Sequence, residues 1–184
     1  MQAEHPVSSK EYWKKVKGEE LASHLSEIVP SFGDNPPVFV CIGTDRSTGD
    51  ALGPLVGTYL EEHGYPFVIG TLAYPCDASN IHHRLNEVPY PSKVIAIDAC
   101  LGRTASVGLY QVSNQPLLPG KSLGKDLPCV GDFTIAAIVN SEGPRQYAVC
   151  KQLLCTKLCL WLKKLRLRFC NLFLFHPWRN LEYS

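Results

Sequence analysis

What this chain lacks first is an excess of charge of either sign: Lys and Arg number 18, Asp and Glu 17, for a formal net charge of +1. So even a balance gives no reason to expect a surface that binds nucleic acid. It also lacks a long apolar run. A membrane-spanning helix needs ~18 or more uncharged apolar residues, and the nearest stretch, residues 158–175, is interrupted by Lys163, Lys164, Arg166 and Arg168. Met1-Gln2-Ala3-Glu4-His5-Pro6 leads to Lys10, Lys14 and Lys15 with no apolar segment between, so no secretory signal is expected and a cytoplasmic location is. There are no internal repeats and no low-complexity tract.

Cysteine is not scarce, with 8 in the chain, but no Cys-x-x-Cys pair occurs. That spacing excludes a zinc ribbon and a thioredoxin-like site. Cys150, Cys155, Cys159 and Cys170 crowd the tail, and with His176 their spacing is unorthodox for zinc. A cytoplasmic protein does not build a disulfide framework. The thiols are therefore expected to be buried and inert, and neither a metal nor a cofactor is expected.

What is present is a globular composition, 45% hydrophobic and 19% charged, in a chain long enough for one well-formed core. Residues 9–29 read as a helix capped by Ser8 or Ser9, with Leu21, Leu25 and Ile28 recurring near helical period. Residues 31–37 are a breaker cluster. Residues 38–42 form a short continuous apolar run, the signature of a strand buried on both faces. Leu52, Leu55, Val56, Tyr59 and Leu60 then follow an amphipathic helical pattern that Gly64 ends, with Asp50 or Thr48 available as its cap. Further strands are expected at residues 67–72, 94–97, 107–112 and 133–139, the one at 107–112 half-exposed. Helices are expected from Asp77 to the prolines at 89 and 91, and over residues 145–165. Strands alternating with helices imply a mostly parallel sheet inside a three-layer αβα sandwich. The chain divides into an N-terminal helix and linker at 1–34, an αβα core at 35–148, and a C-terminal helix with an atypical tail at 149–184.

Two aspartates stand where such a sheet presents chemistry. Asp50 lies in Gly43-Thr44-Asp45-Arg46-Ser47-Thr48-Gly49-Asp50-Ala51-Leu52-Gly53-Pro54, directly after the first apolar strand. Asp98 ends Val94-Ile95-Ala96-Ile97-Asp98. Open α/β sheets bind ligands beyond the carboxyl ends of their strands. Two carboxylates delivered there suit acid/base hydrolysis, because like charges held together drive their pKa values apart. The structural alternative is that Asp50 caps a helix and Asp98 satisfies loop amides.

These two motifs together resemble the YyaC family of bacterial sporulation proteins, itself similar to the germination protease of endospores and, more distantly, to the hydrogenase maturation peptidases. Leu118-Pro119-Gly120-Lys121, Val130-Gly131-Asp132 and Ile138-Val139-Asn140 extend the resemblance over roughly residues 35–147. It implies a phosphorylase/hydrolase-like fold with five core strands, one antiparallel, for which residues 107–112 are the candidate. It implies Asp50 and Asp98 as a catalytic pair; in an enzyme built on that pair, Thr44, Asp45, Gly49 and Asp132 are expected to line the site. The implied partner is a protein or peptide substrate, small acid-soluble spore proteins among them. The maturation peptidases add a histidine about thirty residues after the second aspartate to hold nickel; here Leu127-Pro128-Cys129-Val130-Gly131-Asp132 supplies none, and His82 and His83 precede Asp98.

After Ala148 the sequence departs from the family pattern, with a rise in Cys, Leu and Lys/Arg that reads as an altered reading frame or, alternatively, as a basic helix on a membrane surface. Two functions follow. One is an aspartate-dependent endopeptidase of sporulation or germination. The other is a non-catalytic sporulation scaffold or regulator, favoured by a length about half that of a germination protease.

Overall fold

The computed structural model describes residues 11–28, 32, 35–46, 49–120 and 127–141. Its elements in chain order are β1 (Trp13–Val16), α1 (Gly18–Ile28), β2 (Val38–Cys41), α2 (Leu52–Glu62), β3 (Val68–Ile69), α3 (Ile81–Arg84), β4 (Val94–Gly102), β5 (Tyr110–Ser113) and β6 (Phe133–Ser141). The six strands form one open sheet in the order β1-β5-β6-β4-β2-β3. Strands β3, β2, β4 and β6 are mutually parallel, whereas β5 is antiparallel to both β6 and β1. The fold is thus α/β with a mixed six-stranded sheet and three helices among the described residues. Residues 107–112, the candidate antiparallel strand, correspond to β5.

The expected five strands become six because the amino-terminal helix does not begin where periodicity suggested. Trp13 to Val16 pair with Ser113 to Tyr110 instead. Tyr12 anchors the start of this strand: its amide donates to Asn114 Oδ1 at 3.0 Å, and its carbonyl accepts from Ser113 Oγ at 2.9 Å. Helix α1 starts at Gly18, where the Lys17 amide donates to Glu20 Oε2 at 2.7 Å. That is the return half of a capping box, and Glu19 and Glu20 also oppose the positive end of the helix dipole. Because β1 covers its outer side, β5 is an interior strand with Tyr110, Val112 and Ser113 buried, not the half-exposed one expected.

Side-chain alternation along the central strands divides the core in two. Phe39, Cys41, Ile95 and Ile97 face α1 through Leu21 and Leu25, and α2 through Leu52, Val56 and Leu60. Val38, Val40, Ile42, Val94 and Ala96 face the other way, where Ile81 of α3 packs on them. Strands β2 and β4 are parallel neighbours, registered Val38↔Val94 to Cys41↔Ile97, as their two-sided apolar runs require.

The helix expected from Asp77 to the prolines is cut short. Asp77 and Asn80 fold the backbone into a local turn, Asp77 Oδ1 accepting from the Ser79 amide at 2.8 Å and Asn80 Oδ1 from the Asp77 amide at 2.9 Å. Such side-chain bonds compete with helix initiation, and only Ile81–Arg84 is α-helical before a 3-10 turn at Leu85–Glu87. The expected helix at 145–165 and the atypical tail lie outside the described residues.

Candidate active site at the carboxyl edge of the sheet

Strand β2 ends at Cys41, and the chain turns back sharply. Gly43 takes φ +141°, and a β-carbon there would collide with the Asp50 carbonyl oxygen. This backbone contact brings the far end of the 44–49 loop back against the strand end. Helix α2 is held equally close: a β-carbon at Gly53 would strike the carbonyl oxygen of Ile42. The N-cap position of α2 is Ala51, so Asp50 does not occupy it, and Thr48 lies outside the described residues. Asp50 is instead an exposed residue of the turn that precedes the helix.

Asp98 is not at a strand end as expected. It is the fifth residue of β4, which continues to Gly102, paired on one side with Ala136 of β6. On its other side the β2 ladder has already stopped, at Cys41↔Ile97. Asp98 therefore lies one step beyond the end of β2, where the Gly43 turn leaves the sheet. By alternation from Val94 and Ala96 its side chain lies on the α3 face.

Asp98 is partly exposed as a residue, yet protein surrounds its carboxyl group, and this burial pushes its pKa up to about 7. A hydrogen bond from the Ala99 amide to Oδ1, 2.7 Å long, pulls the other way. The charge of Asp50 raises the value further. Both aspartates thus lie where β2 ends, Asp50 through its backbone contact with Gly43 and Asp98 one step past Cys41↔Ile97. A carboxyl group titrating near neutrality can hold a proton and release it, which a solvated aspartate cannot do at that pH.

The remaining expected site residues divide. Thr44, Asp45 and Gly49 belong to the same loop as Asp50; Thr44 is half-buried, with Oγ1 accepting from the Arg46 amide at 3.4 Å, Asp45 is exposed and Gly49 buried. Asp132 stands apart. It precedes β6 and binds at the amino end of β4, its Oδ2 accepting from the Val94 amide and its Oδ1 from Lys93 Nζ, both at 2.9 Å. Val94 and Asp98 are four strand residues apart, or roughly 13 Å at the usual rise. Asp132 accordingly pins two strand beginnings together and does not join the Asp50–Asp98 pair.

Cys76 also belongs to this edge, although no sequence motif marks it. It bridges Ile42, and its carbonyl accepts from the Gly43 amide at 2.8 Å. Burial pushes its thiol up to about 11, Arg84 opposes the shift, and the charge of Asp98 is among those that add to it. The carboxyl-edge rule, applied to the segment after β3, would have drawn attention to it. Cys41 and Cys76 are buried thiols, as expected, whereas Cys129 is exposed.

Two aspartates do not suit nickel, which favours imidazole or thiolate ligands. Among the described residues no group of three or more His, Cys, Asp or Glu could hold a metal, and His82 and His83 are exposed on α3. The residues do not fit a maturation-peptidase nickel site. Among the described residues no helix is long and apolar enough to cross a membrane.

A family model described as "Protein of unknown function (DUF1256)" matches residues 9–163. The match is wider at both ends than the motif-bearing stretch and runs past Ala148. The chain is 46% identical over 135 residues to the uncharacterized protein YyaC of Bacillus subtilis (strain 168), across 71% of this chain and 66% of that protein. The chain spans just under two thirds of that relative's own length.

Proposed function

The chain belongs to the YyaC family, matched by the DUF1256 model, and we propose that it is a cytoplasmic peptidase-like hydrolase of sporulation or germination that cleaves peptide bonds with Asp50 and Asp98. The observation that carries this reading is the placement of both aspartates at one point of the carboxyl edge, Asp98 one step past the end of β2 and Asp50 held against Gly43 at the end of that same strand; burial and the Asp50 charge push the Asp98 carboxyl up to about 7. The fold we infer is a three-layer αβα sandwich, supported by α1 and α2 against one core cluster and Ile81 of α3 in the other.

In the mechanism, exposed Asp50 acts as base and Asp98, protonated at neutral pH in a substantial fraction of molecules, acts as acid. Asp50 takes a proton from water as the oxygen attacks the peptide carbonyl carbon. Asp98 gives its proton to the departing nitrogen as the C–N bond breaks. A new carboxyl group and a new amine result, and the proton on Asp50 returns to Asp98 or to solvent. Amides of the 44–49 loop are the candidate donors to the developing oxyanion. The substrate we infer is a protein or peptide, small acid-soluble spore proteins among the candidates, and the site needs no cofactor for this chemistry.

The test is incubation of the pure protein with a spore-protein extract, followed by mass spectrometry for new termini. Cleavage is expected from the native protein and from neither Asp50→Asn nor Asp98→Asn, since asparagine keeps the size but cannot exchange the proton. The double variant should be as inactive as either single one, because residues acting as a unit are not additive. No cleavage by the native protein would leave the non-catalytic scaffold of the same fold as the reading.

A further inference from the structure

Five large apolar side chains are exposed among the described residues: Trp13, Leu72, Tyr74, Tyr90 and Leu118. Trp13 begins β1 beside Ser113, Tyr90 precedes β4, and Leu118 follows the Leu117↔Val130 bridge that leads to β6. Those three therefore lie toward the amino edge of the sheet. Leu72 and Tyr74 do not: they follow β3, on the 70–76 loop, at the carboxyl edge that carries Asp50 and Asp98.

This loop is joined to the site and locked in shape. Its last residue, Cys76, bridges Ile42 and accepts from the Gly43 amide at 2.8 Å, so it is bonded to the glycine whose backbone lies against Asp50. The Leu72 amide donates to Thr58 Oγ1 of α2 at 2.8 Å. Thr71 and Tyr74 close on each other, the Thr71 amide donating to the Tyr74 carbonyl at 3.1 Å and the Tyr74 amide to Thr71 Oγ1 at 3.2 Å. Arg84, paired with Glu87 at 2.7 Å, also donates from Nη2 to the Tyr74 carbonyl at 3.3 Å. None of these bonds uses the side chain of Leu72 or Tyr74, so these two are presented and not consumed: Tyr74 is 71% exposed and Leu72 38%. A rigid aromatic held out beside a site gives large contact area at little cost in ordering.

We propose that the 70–76 loop is the specificity wall of the site, with Tyr74 and Leu72 receiving a bulky apolar side chain of the peptide close to the bond that is cleaved. This rests on the reading of Asp50 and Asp98 as a peptidase pair. It makes the substrate an extended segment carrying an apolar residue at a fixed offset from the cut. Arg84 is then a positioning residue that acts through the Tyr74 carbonyl.

The experiment digests an unbiased library of synthetic peptides with the full chain and reads the cut sites by mass spectrometry. Native protein, Tyr74→Ala, Tyr74→Phe and Asp98→Asn are compared. Alanine keeps the backbone bonds that shape the loop, and the side chain it removes is mostly exposed, so the fold is retained; thermal melting checks this. Native protein and Tyr74→Phe should favour a bulky apolar residue at one position. Tyr74→Ala should lose on the order of tenfold in kcat/KM on those peptides, chiefly through KM. If Asp98→Asn abolishes cleavage while Tyr74→Ala leaves the preference unchanged, the loop assignment alone is overturned. If the native protein cuts nothing, the loop assignment falls together with the peptidase reading.

Discussion

Asp50 and Asp98 act on each other electrostatically although 48 residues separate them in the chain: the charge of the first raises the pKa of the second. Two close backbone contacts make this possible. Gly43 lets the loop close on Asp50, and Gly53 lets α2 settle on Ile42 at the end of β2. Asp98 meets them because β4 runs on past the point where β2 stops.

The stability of the fold should depend on pH through Asp98. Its folded-state pKa is raised from 3.8 to about 7, so the folded protein holds the proton more tightly than the unfolded chain. The stability linked to that proton is fully present below about 3.8 and is lost as pH rises through about 7. Asp98→Asn escapes this loss. It should be more stable than the native protein at pH ~8, with an advantage on the order of 2 kcal/mol greater there than at pH ~5. Urea unfolding at the two pH values measures the difference; an advantage independent of pH would mean that the buried charge is not the cause.

Gly53→Ala should destabilise the protein although alanine is the better helix former by about 1 kcal/mol. The added methyl meets the Ile42 carbonyl oxygen, a backbone atom of a central strand, so relief requires α2 to move away from β2. A net loss of roughly 1–3 kcal/mol is expected, the usual cost of overpacking. Urea midpoints read it directly, and a neutral or stabilising result would contradict the close approach that sets Asp50 against the strand.

His24 ties α1 to the start of β1. It is buried, its Nε2 lies 3.1 Å from Tyr12 Oη, the two rings meet edge to face, and Nδ1 is 3.7 Å from Glu27. Burial lowers its pKa; Glu27 opposes the shift and Lys14 adds to it. With a folded pKa below the unfolded 6.5, the unfolded chain takes up the proton first. Stability is therefore highest above about 6.5 and falls with pH below it, until the folded imidazole is protonated as well. His24→Phe keeps an aromatic edge for Tyr12 and should abolish this component of the acid loss. Thermal melts of the two proteins from pH ~7.5 to 5 test it, and parallel curves would remove His24 from the account.

Much of this edge was legible in the sequence, for identifiable reasons. The run at 38–42 is apolar at every position, and so is Val94-Ile95-Ala96-Ile97, which marks central parallel strands; Leu52 to Leu60 keep helical period because one face of α2 lies on the sheet. β1 was not legible. Lys14 and Lys15 look out from an edge strand whose only buried residue is Val16, and the helical recurrence of Leu21, Leu25 and Ile28 extends backwards over it without contradiction. The position of Asp132 was not legible because a Val-Gly-Asp motif beside a strand does not say which end of the sheet it occupies. That depends on strand direction, and the parallel pairing of β6 with β4 fixes it at the amino end. The turn at Asp77 was not legible because aspartate favours turns and helix starts alike.

The most direct test of the paired-aspartate account is a carboxyl-carbon NMR titration of Asp98, in the native protein and in Asp50→Asn. A native pKa near 7 is expected, and a lower one in Asp50→Asn, still above 3.8 because burial remains. A native Asp98 titrating near 3.8, or a raised value that Asp50→Asn leaves unmoved, would contradict it.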